Sequence, residues 1–148
     1  AMTVHVLSAA KHLAKLSGWT LSNLELQKIV YLAHMFHLGR TGEPLVHGHF
    51  EAWDYGPVHP DLYHRLKVYG ADPVQDIFYG VGDLLPGDEK SILDEAYRDL
   101  GKLGPGRLVN ATHRKGGAWA NNYIPGFRQR VIPNNEILAE YQALENGG

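Results

Sequence analysis

Residues 50–60 read Phe50-Glu51-Ala52-Trp53-Asp54-Tyr55-Gly56-Pro57-Val58-His59-Pro60, and no other stretch of the chain packs so many conformationally specific residue types together. An aromatic run of strand character ends at Gly56-Pro57, and Pro60 stands where a helix begins. The two prolines fix two φ angles and bias the residues before them toward extended geometry, so the directions of Trp53, Tyr55 and His59 are tightly constrained. Such rigidity suits a surface presented to a partner, and it suits a structural corner equally well.

Working outward, Val46 to Tyr55 has the β-branched and aromatic content of a short strand, and alternation puts His47, His49, Glu51 and Trp53 on one face. Upstream, residues 40–45 form a Gly- and Pro-containing loop. The helix before it is well marked: Ser22 caps it, Glu25 completes a capping box, and Leu26, Ile29, Val30, Ala33 and Phe36 form its apolar face, with Gly39 as the closing residue. A first amphipathic helix covers Val4 to Leu16, with Val6, Leu7, Ala10, Leu13 and Ala14 inward and Gly18 after it.

Downstream, Pro60 opens a third helix with Leu62, Tyr63, Leu66 and Tyr69 as its buried stripe and Gly70 as its stop. Residues 71–87 read as a loop with one apolar turn at Ile77 and Phe78. Asp88 to Leu103 is helical, Gly104-Pro105-Gly106 breaks it, and a short helix runs from Leu108 to Thr112. After the Gly116-Gly117 turn and Trp119, Arg128 to Ile132 pairs as a second short strand, and Asn134 caps a final helix bearing Ile137, Leu138 and Tyr141. The expected class is α+β and predominantly α-helical, with five or more helices around a small antiparallel sheet or hairpin. One domain is expected over residues 2–145, followed by a flexible tail at 146–148.

A chain of 148 residues is about one domain. No uninterrupted apolar run approaches the roughly 20 residues of a membrane span. Ala1 ahead of Met2 reads as an extra residue, and no secretory signal is visible behind it. Zero cysteines exclude disulfides, thiolate nucleophiles and Cys-ligated metals, and a cytoplasmic setting follows as the expectation. A net charge of −2 gives no general attraction to phosphate backbones, so nucleic acid is not an expected partner. Only a local basic group, Arg107, Arg114 and Lys115 around His113, offers an operator-binding alternative.

Nine histidines raise a metal alternative. His47, His49 and Glu51 share a strand face, and two imidazoles with a carboxylate suit Zn²⁺ or Fe²⁺; a solvated polar face has the same pattern. His34 and His37 lie three apart on the second helix, outside any HExxH arrangement. Ser8, Ser17, Ser22 and Ser91 fall in no GxSxG elbow, and the glycines form neither GxxxxGK[ST] nor GxGxxG, so covalent catalysis and a phosphate cofactor lack support. What remains is a set of aromatic and imidazole side chains: Tyr31, His34, Trp53, Tyr55, His59, Tyr63 and Trp119. Residues of these kinds dominate interfaces, and they also fill cores.

At these positions the chain resembles the SocA-like family, whose shared unit is the Panacea domain, a group of bacterial and phage-associated antitoxins. The resemblance lies in Leu26-Gln27-Lys28-Ile29-Val30-Tyr31-Leu32-Ala33, in Gly42-Glu43-Pro44-Leu45 and in residues 50–60, with weaker agreement at Thr112-His113, Trp119 and Ile132 to Tyr141. It implies a mostly helical protein that neutralises a cognate protein toxin by direct binding, with no established catalytic activity and no cofactor. The family namesake is similar in role to a proteolytic adaptor that delivers its toxin to the ClpXP protease. Where the family often has an acidic or amide residue after the helix-two alanine, this chain has His34.

Two groups of residues follow. Tyr31, His34, Tyr55, His59 and Tyr63 are the candidate partner contacts, with Tyr55 and His59 expected to be exposed. Lys28, Trp53, Gly56, Pro57, Pro60, His113 and Trp119 are expected to hold the architecture. The expected division is that changing Trp53 lowers stability first, while His59→Ala affects partner binding with little change in melting.

Overall fold

Helix α2, Asn23–Thr41, is the element on which the others converge in the computed structural model, which describes residues 2–147. Its start is as expected: the Ser22 hydroxyl accepts from the Glu25 N–H at 3.2 Å, and the Glu25 carboxylate accepts from the Ser22 N–H at 3.1 Å. Its end is not. The helix runs through Gly39 and stops at Gly42, whose φ of 78° is the left-handed value of a helix C-cap. Gly39 serves a close approach instead, because a Cβ there would fall inside the Tyr141 ring.

Around α2 pack α1 (Val6–Leu16), α3 (Pro60–Leu66, continued by a 3-10 turn at Lys67–Tyr69), α4 (Asp88–Leu100), α5 (Pro105–Thr112) and α7 (Asn134–Glu145). A short α6, Ala118–Asn122, has no counterpart among the expected elements. Encirclement explains why α2 is not the amphipathic helix that its apolar spacing suggests. Gln27, Lys28, His34 and His37 are as buried as its leucines. Elsewhere the limits shift modestly. Pro105 starts α5 three residues early, Gly101 ends α4 before Leu103, and Pro133 rather than Asn134 is the N-cap of α7. Of the expected stripe on α3, Leu62 and Leu66 are buried while Tyr63 and Tyr69 are half-exposed.

The sheet has three antiparallel strands in the order β2-β1-β3: β1 Phe50–Trp53, β2 Gly56–Val58 and β3 Val131–Ile132. The expected strand from Val46 is therefore shorter, and Gly56-Pro57 is no terminus. The chain reverses at Asp54-Tyr55 and returns through Gly56 and Pro57, which pair with Trp53 and Ala52. Pro57 has no N–H to give a ladder, and it lies on an edge strand, where none is required. The far strand pairs Ile132 with Phe50 and Val131 with Glu51.

The class matches expectation: mainly helical α+β with a small antiparallel sheet, seven helices among the described residues. Of the expected tail, Asn146 and Gly147 form a turn on the end of α7, the Gly147 N–H bonding to the Leu144 carbonyl at 3.2 Å, and Gly148 lies outside the described residues.

Candidate partner-binding site

The base of the β1–β2 hairpin is fastened to the helices by polar groups that are themselves buried. Gln27 Oε1 accepts from the His59 N–H at 2.8 Å, while Gln27 Nε2 donates to the His59 carbonyl at 3.4 Å and to Asn23 Oδ1 at 3.3 Å. Lys28 Nζ donates to the Pro57 carbonyl at 2.9 Å. These bonds satisfy backbone groups that an edge strand against a helix would otherwise leave unpaired. Burial pushes the Lys28 amine down to about 7. Gly56, with a φ of 115°, lets the hairpin come this close, since a Cβ would sit 2.7 Å from Lys28 Cε and 2.9 Å from Thr112 Oγ1.

Phe50 is the hub beneath. Its ring meets Tyr31 at 5.1 Å, His34 at 5.2 Å and His59 at 5.3 Å between centroids. His34 Nε2 donates to Asn134 Oδ1 at 2.9 Å while Nδ1 accepts from the Val46 N–H at 3.4 Å, the pattern of a neutral imidazole. Burial holds His34 down to about 4 and lowers His59 as well, whose Nε2 donates to the His47 carbonyl at 2.8 Å. Burial likewise raises the Tyr31 phenol, with the charge of Glu140 acting in the same sense.

Three of the five expected contacts are thus interior. Tyr31, His34 and His59 are each at most 1% exposed, so the expectation of an exposed His59 is corrected. The cause is the Gln27 clamp, which draws the backbone of residue 59 onto α2. Tyr55, at the turn, is 70% exposed, and Tyr63 is half-buried.

The architectural set is better placed. Trp119 is buried and donates from Nε1 to the Trp53 carbonyl at 2.8 Å, between the His113 ring at 3.6 Å and Tyr123 at 4.5 Å. Tyr123 in turn donates to Asp54 Oδ1 at 2.6 Å, bracing the turn from its other side. His113 is lowered first by burial and then by the Lys28 charge. For Trp53, the backbone carries this bracing, whereas its ring is half-buried and faces an open cleft.

That cleft, about 380 Å³, lies between the hairpin and helices α2 and α3. Gln27, Lys28 and Val58 contribute to its lining, with Trp53 and Tyr63 packed edge to face at 4.7 Å. Asp54, Lys67 and Arg128 also line it, the Arg128 guanidinium lying 4.3 Å from the Trp53 ring centroid. Gln27, Lys67 and Arg128 were not legible as site residues, because their relation to Trp53 exists only after folding.

The metal alternative meets a different geometry. His49 Nε2 and Trp53 Nε1 both bond to Glu51, at 2.9 and 3.0 Å, while His47 and His49 both precede the strand. His37 bonds to the Glu43 carbonyl at 2.7 Å, away from His34's partners. Among the described residues no three His, Asp or Glu side chains are grouped to hold a metal ion, and no helix is long and apolar enough to cross a membrane. Of the small basic group, Arg107 and Lys115 are exposed, but Arg114 lies 3.6 Å from the buried Glu140 carboxylate.

Antitoxin SocA of Caulobacter vibrioides (strain NA1000 / CB15N) is 35% identical over 109 residues, which cover 67% of this chain and 58% of that relative. The chain therefore spans less than two thirds of the curated relative it matches, and at that identity it is a relative of SocA rather than SocA itself. No solved structure matches. The family model described as "Antitoxin SocA-like, Panacea domain" matches residues 26–120, from the buried face of α2 through the hairpin to α6. Since that match takes in well over half of the chain, the protein belongs to the SocA-like, Panacea-domain antitoxin family.

Proposed function

We propose that this chain is an antitoxin that binds a cognate protein toxin directly, using the face formed by the hairpin turn and the adjoining cleft. The observation that carries the reading is the exposed Tyr55 at the tip of a hairpin whose base is clamped at Gln27, Lys28 and Trp119, within the stretch matched by the family. A rigid aromatic contact loses little conformational entropy on binding, which favours affinity. The same polar groups are occupied in holding the fold together, so the activity is binding rather than catalysis.

Delivery of the bound toxin to the ClpXP protease is the form of neutralisation that the family namesake suggests, and it implies action in the cytoplasm. Co-expression with the neighbouring gene tests the binding reading: growth is rescued and the two chains co-elute on gel filtration. A neighbouring product that is harmless alone and forms no complex would overturn it. Toxin half-life in cells with and without the protease separates the two forms of neutralisation. A half-life unaffected by this protein leaves occlusion and removes delivery.

A further inference from the structure

Two cations border the cleft beside Trp53. Some basic side chains elsewhere meet carboxylates, among them Arg40 with Glu95 at 2.6 Å, Lys90 with Asp94 at 3.1 Å, Lys11 with Asp83 at 2.9 Å and Arg98 with Asp99 at 3.0 Å, whereas the exposed Lys102, Arg107 and Lys115 have no carboxylate partner among the described residues. At the cleft, Lys67 and Arg128 have no carboxylate partner among the described residues. Asp54 also lines the cleft, and its Oδ1 accepts from the Tyr123 hydroxyl at 2.6 Å. Arg128 rests over the Trp53 ring at 4.3 Å, a position that orients a guanidinium while leaving its N–H groups free for a planar acceptor. Between the cations lies an aromatic notch, Trp53 against Tyr63, with Tyr55 at its edge.

Trp, Tyr and Arg are the residues in which binding energy concentrates, and a notch of this size admits one or two side chains. Two unpaired cations beside it call for the opposite charge. A nucleic acid would fit the cations alone, but the overall charge of −2 opposes a polyanion, and the 70% exposure of Tyr55 adds apolar area suited to a protein. We infer that the cleft receives an acidic segment of the toxin, an apolar side chain entering between Trp53 and Tyr63 while a neighbouring Asp or Glu pairs with Arg128 and Lys67. This rests on the antitoxin reading and adds to it the chemistry of the partner.

The test uses the full chain and the purified toxin, with affinity followed by calorimetry at low and high salt. Arg128→Glu and Lys67→Glu should each weaken binding by about tenfold or more at low salt and flatten its salt dependence, with unchanged melting temperatures. Lys102→Glu, an exposed charge away from the cleft, should alter affinity by less than about twofold. If the wild-type chain binds no toxin, the antitoxin reading fails and this assignment fails with it. If the toxin binds and tolerates both cleft reversals, the assignment alone is overturned. Loss of binding when only the toxin's last few residues are removed would give the acceptor to a terminal carboxylate and overturn the side-chain source. Binding of a single-stranded oligonucleotide at low salt, abolished by the same two reversals, would assign the cleft to phosphate and overturn it as well.

Discussion

The two ends of one hairpin are built on opposite terms. At the base, Gly56 to His59 is enclosed by α2 and α5, and its backbone groups are bonded to Gln27 and Lys28. At the tip and along the cleft, Tyr55, Lys67 and Arg128 face solvent, and the two cations have no carboxylate partner among the described residues. The five residues from Tyr55 to His59 thus pass from an exposed tip, where the proposed function places binding, to an interior where changes cost stability.

The sharpest way to break this division is Phe50→Ala, which removes the ring on which Tyr31, His34 and His59 pack. It should cost about 3–5 kcal/mol in chemical denaturation. A loss near zero would show that the base is not a packed core. Next is Gln27→Leu, which leaves the buried N–H of His59 unpaired, while the His59 carbonyl keeps its bond from the Tyr63 N–H at 2.9 Å. About 1–3 kcal/mol should be lost, with a melting curve that stays cooperative. Gly56→Ala should fall in the same range, since a Cβ meets Lys28 and Thr112 at a φ of 115°.

Acid provides a finer probe of the base. The folded-state value of His34, about 4, lies below the ordinary 6.5, so the unfolded chain takes up the proton first as pH falls. Stability from this group is complete above about pH 6.5 and is lost toward pH 4, at up to about 1.4 kcal/mol per pH unit, with His59 acting in the same direction. In His34→Gln the dependence should be shallower, as read by melting temperature across that window; an unchanged slope would remove His34 from the account. The smallest expected stability effect is at the tip. Tyr55→Ala should move stability by less than about 0.5 kcal/mol while weakening toxin binding, and the reverse pattern would erase the distinction between base and tip.

Much of the fold was readable where causes are local. The Ser22–Glu25 capping box and the Pro60 helix start depend on residues within a turn of each other, and both stand where the chain chemistry put them, whereas α4 ends at Leu100, ahead of the expected break, and Pro105 opens α5. The errors fell where a distant element intervened. Gly39 resembled a helix stop, but the Tyr141 ring, about a hundred positions away, needs its missing side chain. His59 resembled a presented side chain, but Gln27, on α2, buries it. The Trp53 ring seemed part of a corner, although it is the Trp53 carbonyl that Trp119 fastens.

Helix caps, prolines and apolar spacing, together with the Lys28-Tyr31 helix and the Trp53-to-Val58 turn, were enough to place this chain in its class and point to its family. Short-range backbone preferences act on neighbouring residues, and one chain records them directly. Which polar and aromatic side chains would be interior was decided by tertiary packing. Encirclement of α2 buried Lys28, Tyr31 and His34, and contact between segments 75 positions apart set Arg128 over Trp53. Burial depends on what covers a residue, and here the covering elements come from distant parts of the chain, from α1 to α7.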